Sequence, residues 1–290
     1  MKYAYYPGCS AHSTARDMHS SSLAVAHRLG IEFIEPEGWS CCGASAAHQT
    51  DRVLAIALPA ANLLLARKMG MDMVVNCAAC YNRMKTANHE LISSASMRER
   101  VKGVVGHDYD GSVAVRHFVE VLLQDVGIPK LRKTFTHSLN GLKVACYYGC
   151  FLVRPHEVMQ FDDPENPTSL DDLVTAMGGE SLDWPYKVEC CGGGLNLTRT
   201  DLLVKFSGSI IEMAQASGAD CIAVACPMCH ASLDLRQKDI ERATGKHYGM
   251  PILYITQLLG LGLGIPQKEL GLDRLMVEPS PVLQAVRVAH

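Results

Sequence analysis

The chain has 290 residues, 48 % of them hydrophobic, and a formal net charge of −3 at pH 7. This length suffices for two domains of ordinary size, and no run of about 18 apolar residues predicts a membrane-spanning helix. Because the charge is nearly balanced and no basic cluster occurs, nucleic acid is not an expected partner.

The first half of the chain predicts the order β-α-β-α-β. Apolar runs and helical periodicity predict strands at Lys2–Tyr6, Ile31–Ile34 and Met73–Asn76 and helices at Ala15–Leu29 and Val53–Met69. Gly30 and Gly70 end the two helices, because glycine is common just after a helix C-terminus. Pro59 predicts a kink or a break inside the second helix.

The second half repeats this order with a less clear second strand. The predicted strands are Leu142–Tyr148, Trp184–Val188 and Cys221–Ala225, and the predicted helix is Leu202–Ala216. Val113–Leu123 and Ile252–Gly262 also resemble each other, each as a short strand that turns into a helix.

This repetition predicts an α/β fold of two duplicated Rossmann-like halves with parallel sheets, related by a pseudo-two-fold axis. The first cysteine-rich domain is expected at residues 1–129 and the second at 141–272. The polar stretch Lys130–Asn140 connects them, and residues 273–290 form a C-terminal tail. Strands of a parallel sheet point the same way, so residues that follow them meet at one edge.

Two sets of cysteines with matching spacing follow the predicted strands. The first set is Cys9, Cys41, Cys42, Cys77 and Cys80, and the second is Cys150, Cys190, Cys191, Cys226 and Cys229. Four cysteines of the first set lie 149 positions before their counterparts, and Cys9 lies 141 positions before Cys150. Cys146 and Cys221 have no duplicated partner and are interpreted as small apolar core residues.

The cysteine content also indicates the compartment. The segment from Met1 to Cys9 has neither the apolar core nor the cleavage site of a secretory signal. Twelve cysteines in such a chain favour a reducing compartment, where thiols bind metals or serve redox chemistry. We therefore expect a cytoplasmic protein.

Five thiols per half exceed what a simple metal site uses. Thiolates bind zinc, copper(I) and iron–sulfur clusters, and both structural zinc and a cubane [4Fe–4S] cluster take four protein ligands. The adjacent pairs, Cys41-Cys42 and Cys190-Cys191, suit two metal atoms of an extended core better than one ion. Gly43 and Gly192 let backbone amides approach that core. Zinc in each half, with one spare thiol, remains an alternative.

The motifs resemble the B subunit of heterodisulfide reductase over nearly the whole chain. The resemblance is carried by Tyr6-Pro7-Gly8-Cys9, by Tyr147-Tyr148-Gly149-Cys150, and by the two Cys-Cys-Gly motifs with their trailing CxxC. It implies that each five-cysteine set holds a noncubane [4Fe–4S] cluster. It also implies reductive cleavage of a disulfide, such as coenzyme M–coenzyme B, to two thiols. The implied partners are the ferredoxin-like C subunit and the flavin-containing A subunit, supplied by a hydrogenase or formate dehydrogenase.

Substrate-binding residues are predicted only as a group. Thiol coenzymes are anionic, so basic side chains near the cysteines are the natural candidates. They are His12, His48, Arg83, Arg154, His156, Arg199 and His230. A histidine is the usual proton donor near neutral pH, but the sequence selects none of them.

Two other functions are consistent with the same cysteines. A bacterial homologue of this protein would oxidise a sulfane-sulfur or thiol substrate instead of reducing a disulfide. A protein of a different class, a non-catalytic electron relay or a zinc-structured scaffold, would use the thiols without turnover. Iron and acid-labile sulfide content distinguishes the zinc scaffold from the others.

Overall fold

The computed structural model describes residues 1–44 and 47–288, and the same four-stranded parallel sheet occurs twice in it. The strands are β1 (Lys2–Tyr6), β2 (Glu32–Ile34), β3 (Met73–Val75), β4 (Val115–His117), β5 (His137–Ser138), β6 (Lys143–Tyr147), β7 (Glu180–Ser181), β8 (Cys221–Val224), β9 (Ile252–Tyr254) and β10 (Arg287–Val288). The first sheet has the order β2-β1-β3-β4 and the second the order β7-β6-β8-β9, with every neighbouring pair parallel. The predicted duplicated α/β fold is thereby confirmed.

Helices connect the strands. They are α1 (Arg16–Arg28), α2 (Ala47–Thr50), α3 (Arg52–Met69), α4 (Ala78–Ser93), α5 (Ala95–Val105), α6 (Phe118–Val121), α7 (Ile128–Thr134), α8 (His156–Met159), α9 (Ser169–Ala176), α10 (Thr200–Ala216), α11 (Pro227–His230), α12 (Gln237–Thr244), α13 (Ile255–Gly262) and α14 (Ser280–Ala285). Short 3-10 turns lie at Cys9–His12, Gly193–Leu195 and Leu272–Arg274, and π-helical turns at Leu122–Val126 and Ala231–Leu235. Of the described helices, none combines the length and the apolar character needed to cross a membrane.

Local sequence sets the helix ends. The Asp51 side chain accepts a hydrogen bond from the Leu54 amide and caps the start of α3, and Gly70 ends the helix in the left-handed conformation. The helix is not broken at Pro59, which lies inside it. At α4, the sulfur of Cys77 takes the capping position and accepts from the Cys80 amide. A predicted metal-binding residue therefore also begins a helix.

The two halves share one hydrophobic core, and their contacts are reciprocal. Helix α1 of the first half packs against α13 of the second, and α9 of the second half packs against α6 of the first. Because α9 corresponds to α1, and α13 to α6, these contacts are the pattern expected of a pseudo-two-fold axis.

The structure differs from the sequence prediction in three segments. The second strand of the second half is β7, not Trp184–Val188; in that segment Trp184 donates to the Cys146 carbonyl oxygen at 3.0 Å, and Pro185 has no amide hydrogen for a ladder. The connector is not merely polar, because it contains most of α7 and all of β5. The tail contributes α14 and β10, and β10 pairs antiparallel with β5. The exact domain boundaries stay a prediction, and Ala289 and His290 of the tail lie outside the described residues.

Candidate metal centres between the two halves

The first cysteine set converges on one cavity at the carboxyl edge of the first sheet. Strands β2, β1 and β3 are neighbours, and each leads into one of the cysteine segments. All five cysteines, Cys9, Cys41, Cys42, Cys77 and Cys80, line a cavity of 220 Å³. The cysteines are far apart in sequence but meet at one edge, because the strands that precede them are parallel. Open α/β sheets bind ligands at this edge.

The second set forms an equivalent cavity. Cys150, Cys190, Cys191, Cys226 and Cys229 line a cavity of 200 Å³. The glycines that follow the adjacent cysteines, Gly192, Gly193 and Gly194, form part of its wall, so this run opens space beside the thiols. Gly193 and Met228 line both cavities, which places the two sets next to each other.

The sulfur atoms are close within each set. Cys42 Sγ lies 3.2 Å from Cys80 Sγ, and the equivalent Cys191 and Cys229 sulfurs are 3.6 Å apart. The amide of Gly43 donates to Cys41 Sγ at 3.4 Å, and the amide of Gly192 donates to Cys190 Sγ at the same distance. Both glycines have positive φ, near +74°, a conformation that residues with a side chain rarely adopt.

A tyrosine supports each adjacent cysteine pair. Tyr6 donates its hydroxyl to the Ser40 carbonyl oxygen at 2.8 Å, and Tyr147 donates to the Glu189 carbonyl oxygen at 2.5 Å. Each acceptor directly precedes a Cys-Cys-Gly motif. Sequence reasoning did not assign this role, although the spacing of 141 residues shared by both tyrosines was available as a signal.

The thiols influence one another electrostatically. Hydrogen bonds from Cys41 and Cys80 lower the pKa of the Cys42 thiol, and a hydrogen bond from Cys150 lowers the pKa of Cys190 to about 6. Burial and the neighbouring thiolates raise the pKa of Tyr6 and Tyr147, so both hydroxyls keep their protons. Each set therefore contains a thiol disposed to be a thiolate, which is the form that binds metal.

Donor chemistry and space both fit a cluster of several atoms. Each cavity offers five sulfur donors and many times the roughly 15 Å³ that one water needs. Within the described ranges 1–44 and 47–288, no group of three His, Cys, Asp or Glu side chains has the geometry of a single-ion site. Cys146 and Cys221 are fully buried in β6 and β8 and line neither cavity.

Of the predicted basic residues, Arg83 and His48 are neighbours in the first half. The guanidinium of Arg83 lies 5.5 Å from the ring centre of Phe151, which lines the second cavity. Arg83 interacts electrostatically with Cys42 of the first set and with the exposed His48. Burial, followed by the Arg83 charge, lowers the pKa of His48.

The remaining basic candidates, like Arg83 and His48, line neither cysteine cavity. Arg154 pairs with Glu165 at 2.8 Å, and Arg199 pairs with Asp201 at 2.7 Å. His156 is exposed at the start of α8, and His12 lines a separate surface cavity.

His230 is buried and bonded to the backbone. Its Nε2 lies 3.1 Å from the Ile252 carbonyl oxygen, its ring stacks on Tyr254, and burial lowers its pKa to about 4. It is therefore neutral near pH 7.

Comparisons with known proteins agree with this geometry. A family model described as the CCG cysteine-rich domain matches residues 3–85 and 144–234. The chain is 33 % identical, over 96 % of its length and 97 % of the relative, to the 8-methylmenaquinol:fumarate reductase membrane anchor subunit of Wolinella succinogenes. It is 31 % identical, over 96 % of its length and 94 % of the relative, to the B subunit of the ferredoxin/F420H2-dependent CoB-CoM heterodisulfide reductase of Methanosarcina acetivorans.

Two further matches are a relative from another organism and a solved structure that is similar in fold alone. The chain is 30 % identical, over 94 % of both chains, to an Archaeoglobus profundus protein described as similar to the B subunit of heterodisulfide reductase. A crystal structure of a hypothetical protein from Helicobacter pylori is similar in fold, with a TM-score of 0.73 at 11 % identity. The match covers 96 % of this chain and 52 % of that one, so this chain spans about half of the larger protein.

Proposed function

The chain belongs to the CCG cysteine-rich domain family and is a homologue of the B subunit of heterodisulfide reductase, and from this premise we propose that it reduces a disulfide within a larger electron-transfer complex. One observation carries the proposal: each of two adjacent cavities is lined by all five cysteines of one repeat. The family is one of oxidoreductases that work as subunits of heteromeric assemblies. The following assignments are the finer part of the proposal.

Each cysteine set would hold one noncubane [4Fe–4S] cluster. The first is assigned to Cys9, Cys41, Cys42, Cys77 and Cys80, and the second to Cys150, Cys190, Cys191, Cys226 and Cys229. Five donors around a cavity of about 200 Å³ support an extended core better than a four-ligand ion. Bound there, such clusters supply one-electron reduction and iron coordination of sulfur.

The proposed reaction breaks one S–S bond. A disulfide takes up two electrons and two protons and yields two thiols, so two one-electron centres next to each other suit its stoichiometry. In this chain the shared wall of Gly193 and Met228 keeps the cavities adjacent, and Phe151 adds an apolar surface beside the second set. The side chains of Met228 and Phe151 would orient a bound disulfide beside the two sets and keep water away from it.

The substrate and the partners are proposed from the relatives. Coenzyme M–coenzyme B is the disulfide in the name of the Methanosarcina acetivorans relative, and it is the first substrate to test. Electrons would arrive through the ferredoxin-like C subunit and the flavin-containing A subunit, with a hydrogenase or formate dehydrogenase upstream, in the cytoplasm. The cysteines beside the cavity mouths, Cys9, Cys41 and Cys190, are exposed, which would allow a partner to approach the clusters.

A second candidate function is favoured by one comparison. The fumarate reductase anchor protein of Wolinella succinogenes matches over 97 % of its length. In a complex of that kind, the same cysteine sets would pass electrons between partners without any disulfide chemistry.

The deciding experiment is turnover by the anaerobically prepared, cluster-loaded chain. The protein is reduced with a low-potential dye and mixed with the coenzyme M–coenzyme B disulfide, and released thiols are counted against dye oxidised. One disulfide cleaved per two electrons, lost in Cys42→Ala and in Cys191→Ala, is the expected result. If the chain instead passed electrons from the dye to a partner flavoprotein and released no thiol from the disulfide, the second candidate would be supported.

A further inference from the structure

The two cavities have the same sulfur donors but walls of different polarity. Ser10, Thr14 and Asn196 line the first cavity together with its five cysteines. In the second repeat the position of Ser10 is occupied by Phe151, which lines the second cavity beside Leu195. Two equivalent metal centres would therefore experience different surroundings.

Asn196 belongs to the second half but lines the cavity of the first. It follows the short turn Gly193–Leu195, and its Oδ1 accepts hydrogen bonds from Arg236 Nε at 3.0 Å and from Arg236 Nη2 at 2.8 Å. Arg236 is itself paired with Asp239 at 3.1 Å. Because a guanidinium can only donate, the end of the amide that faces Arg236 must be the oxygen. The Nδ2 group is therefore held at the opposite end.

The amide nitrogen of Asn196 remains available as a donor. Within residues 1–44 and 47–288, no group accepts a hydrogen bond from its Nδ2. The side chain is half-buried and lies in the wall of a cavity that holds five sulfur atoms. A fixed donor in such a wall is suited to bond with electron-rich sulfur, and its orientation does not have to be found anew.

The second cavity lacks an equivalent fixed donor among the described residues. The residue 149 positions before Asn196 is Ala47, which has no polar side chain. Gln49 of the first half does line the second cavity, but it is exposed, and its side chain makes no hydrogen bond to the described part of the chain. To donate to a sulfur atom, Gln49 would have to lose its conformational freedom. The duplication therefore leaves the two centres unequal.

We propose that Asn196 donates a hydrogen bond to a sulfur atom of the first metal centre and thereby gives this centre the higher reduction potential of the two. The inference rests on the proposed function, because it takes both centres to be iron–sulfur clusters. A hydrogen bond to sulfur stabilises the reduced, more negative state and so raises the potential. Arg236 acts through Asn196 and is a positioning residue.

The test measures each centre alone in the anaerobically reconstituted full chain. Cys191→Ala retains the first centre and Cys42→Ala the second, and redox titrations are followed by EPR. We expect Asn196→Leu to lower the equilibrium constant for reduction of the first centre about tenfold, or about 59 mV for a one-electron couple, and to leave the second unchanged. Gln49→Leu is the matched control and should change the second centre by less than about twofold.

A second measurement detects the hydrogen bond directly. After exchange into D2O, electron–nuclear double resonance should show an exchangeable deuteron at the first centre of the wild type, and this signal should be lost in Asn196→Leu. Asn196→Asp keeps an acceptor for Arg236 but has no N–H group, so it should also lose the signal and serves if Asn196→Leu binds no iron. Arg236→Lys keeps the charge but not the paired bonds, and its signal should be weaker than that of the wild type.

Other results overturn the inference in recognisable ways. An unchanged potential of the first centre in Asn196→Leu, equal shifts in both centres, or a deuteron signal that survives the substitution would show that Asn196 does not donate to it. Zinc in place of iron would overturn the inference together with the cluster assignment. If the potentials and the deuteron signal depend on Asn196 as expected but no disulfide is cleaved, the inference stands and the proposed function is wrong.

Discussion

Cys77 and Cys226 contact each other at the junction of the two halves. Each is the first cysteine of its CxxC motif and each follows a central strand, β3 or β8. Their thiols interact, and this interaction raises the pKa of Cys77. The pKa of Cys226 is lowered by a hydrogen bond from Cys229 and, in addition, by the one from Cys77. Since Cys77 and Cys226 are assigned to different clusters, their interaction brings ligands of the two proposed clusters together.

This contact predicts magnetic interaction between the two clusters. Under conditions in which both are paramagnetic, the wild-type protein should give a broadened EPR spectrum with spin–spin coupling. Cys191→Ala, which should lack the second cluster, should give the sharper spectrum of an isolated centre. Two simple, superimposed spectra in the wild type would show that the Cys77–Cys226 contact does not couple them.

Iron content should report two independent clusters. Anaerobically reconstituted wild type is expected to hold about eight irons and as many acid-labile sulfides, the load of two [4Fe–4S] groups. Cys42→Ala and Cys191→Ala should each lose about half, while Cys221→Ala, a buried cysteine outside both cavities, should lose none. One or two zinc ions without sulfide would contradict the iron–sulfur proposal and favour the scaffold.

The tyrosines below the cysteine pairs should stabilise the loaded sites equally. Tyr6→Phe and Tyr147→Phe each remove one hydrogen bond to a loop carbonyl group, which contributes about 1 kcal/mol to the free energy of unfolding. Both variants should also lose iron faster to a chelator. Tyr109→Phe is the control, because its hydroxyl donates to Asn88 Oδ1 at 2.8 Å away from the thiols. If all three variants release iron at the same rate, the tyrosines do not position the cysteine loops.

The cysteine geometry could be predicted from the sequence because it follows from topology. Once β1, β2 and β3 are parallel, the residues after them share one edge, and the doubled spacing identifies the ligand sets. Very short strands and pairings between distant segments could not be predicted in this way. Strand β7 has two residues, which is too short for any periodicity, and the pairing of β5 with β10 joins segments far apart in the chain.

The substrate-binding candidates show the same limit. Arg83, Arg154 and Arg199 are equivalent in the sequence because each lies within a few residues of a cysteine motif. Only three-dimensional contacts reveal that Glu165 and Asp201 pair with two of them, while Arg83 has no acidic partner within residues 1–44 and 47–288. Likewise, His230 resembles a proton donor in the sequence, but its burial and backbone bond make it a neutral core residue.

A buried carboxyl group predicts a pH dependence of stability. Burial raises the pKa of Asp17 to about 6, compared with about 3.8 in the unfolded chain. The folded state therefore holds this proton more tightly, so stability is fully present below pH 3.8 and is lost as pH rises through about 6. Asp17→Asn should raise the free energy of unfolding by about 1–2 kcal/mol at about pH 7.5, with a smaller gain at about pH 5. Denaturant unfolding at both pH values measures this change in the free energy of unfolding. An equal gain at both pH values would contradict the raised pKa of Asp17.

Gly149 should be essential for the second cluster because of its position against a sulfur atom. It has φ +64°, and a Cβ there would lie 3.0 Å from Cys229 Sγ. Gly149→Ala is therefore expected to displace Cys229 and to lower bound iron by up to half.

Gly245→Ala is the matched control: its φ is +69°, no atom lies within 4 Å of its Cβ position, and it carries only the conformational strain of about 1–2 kcal/mol. In Gly8→Ala the new Cβ would lie 3.4 Å from Cys80 Sγ, an ordinary contact, so this variant should retain most of its iron. If all three variants lost the same fraction of their iron, backbone strain alone would explain the need for glycine, and the approach of the new Cβ to a sulfur atom would not matter.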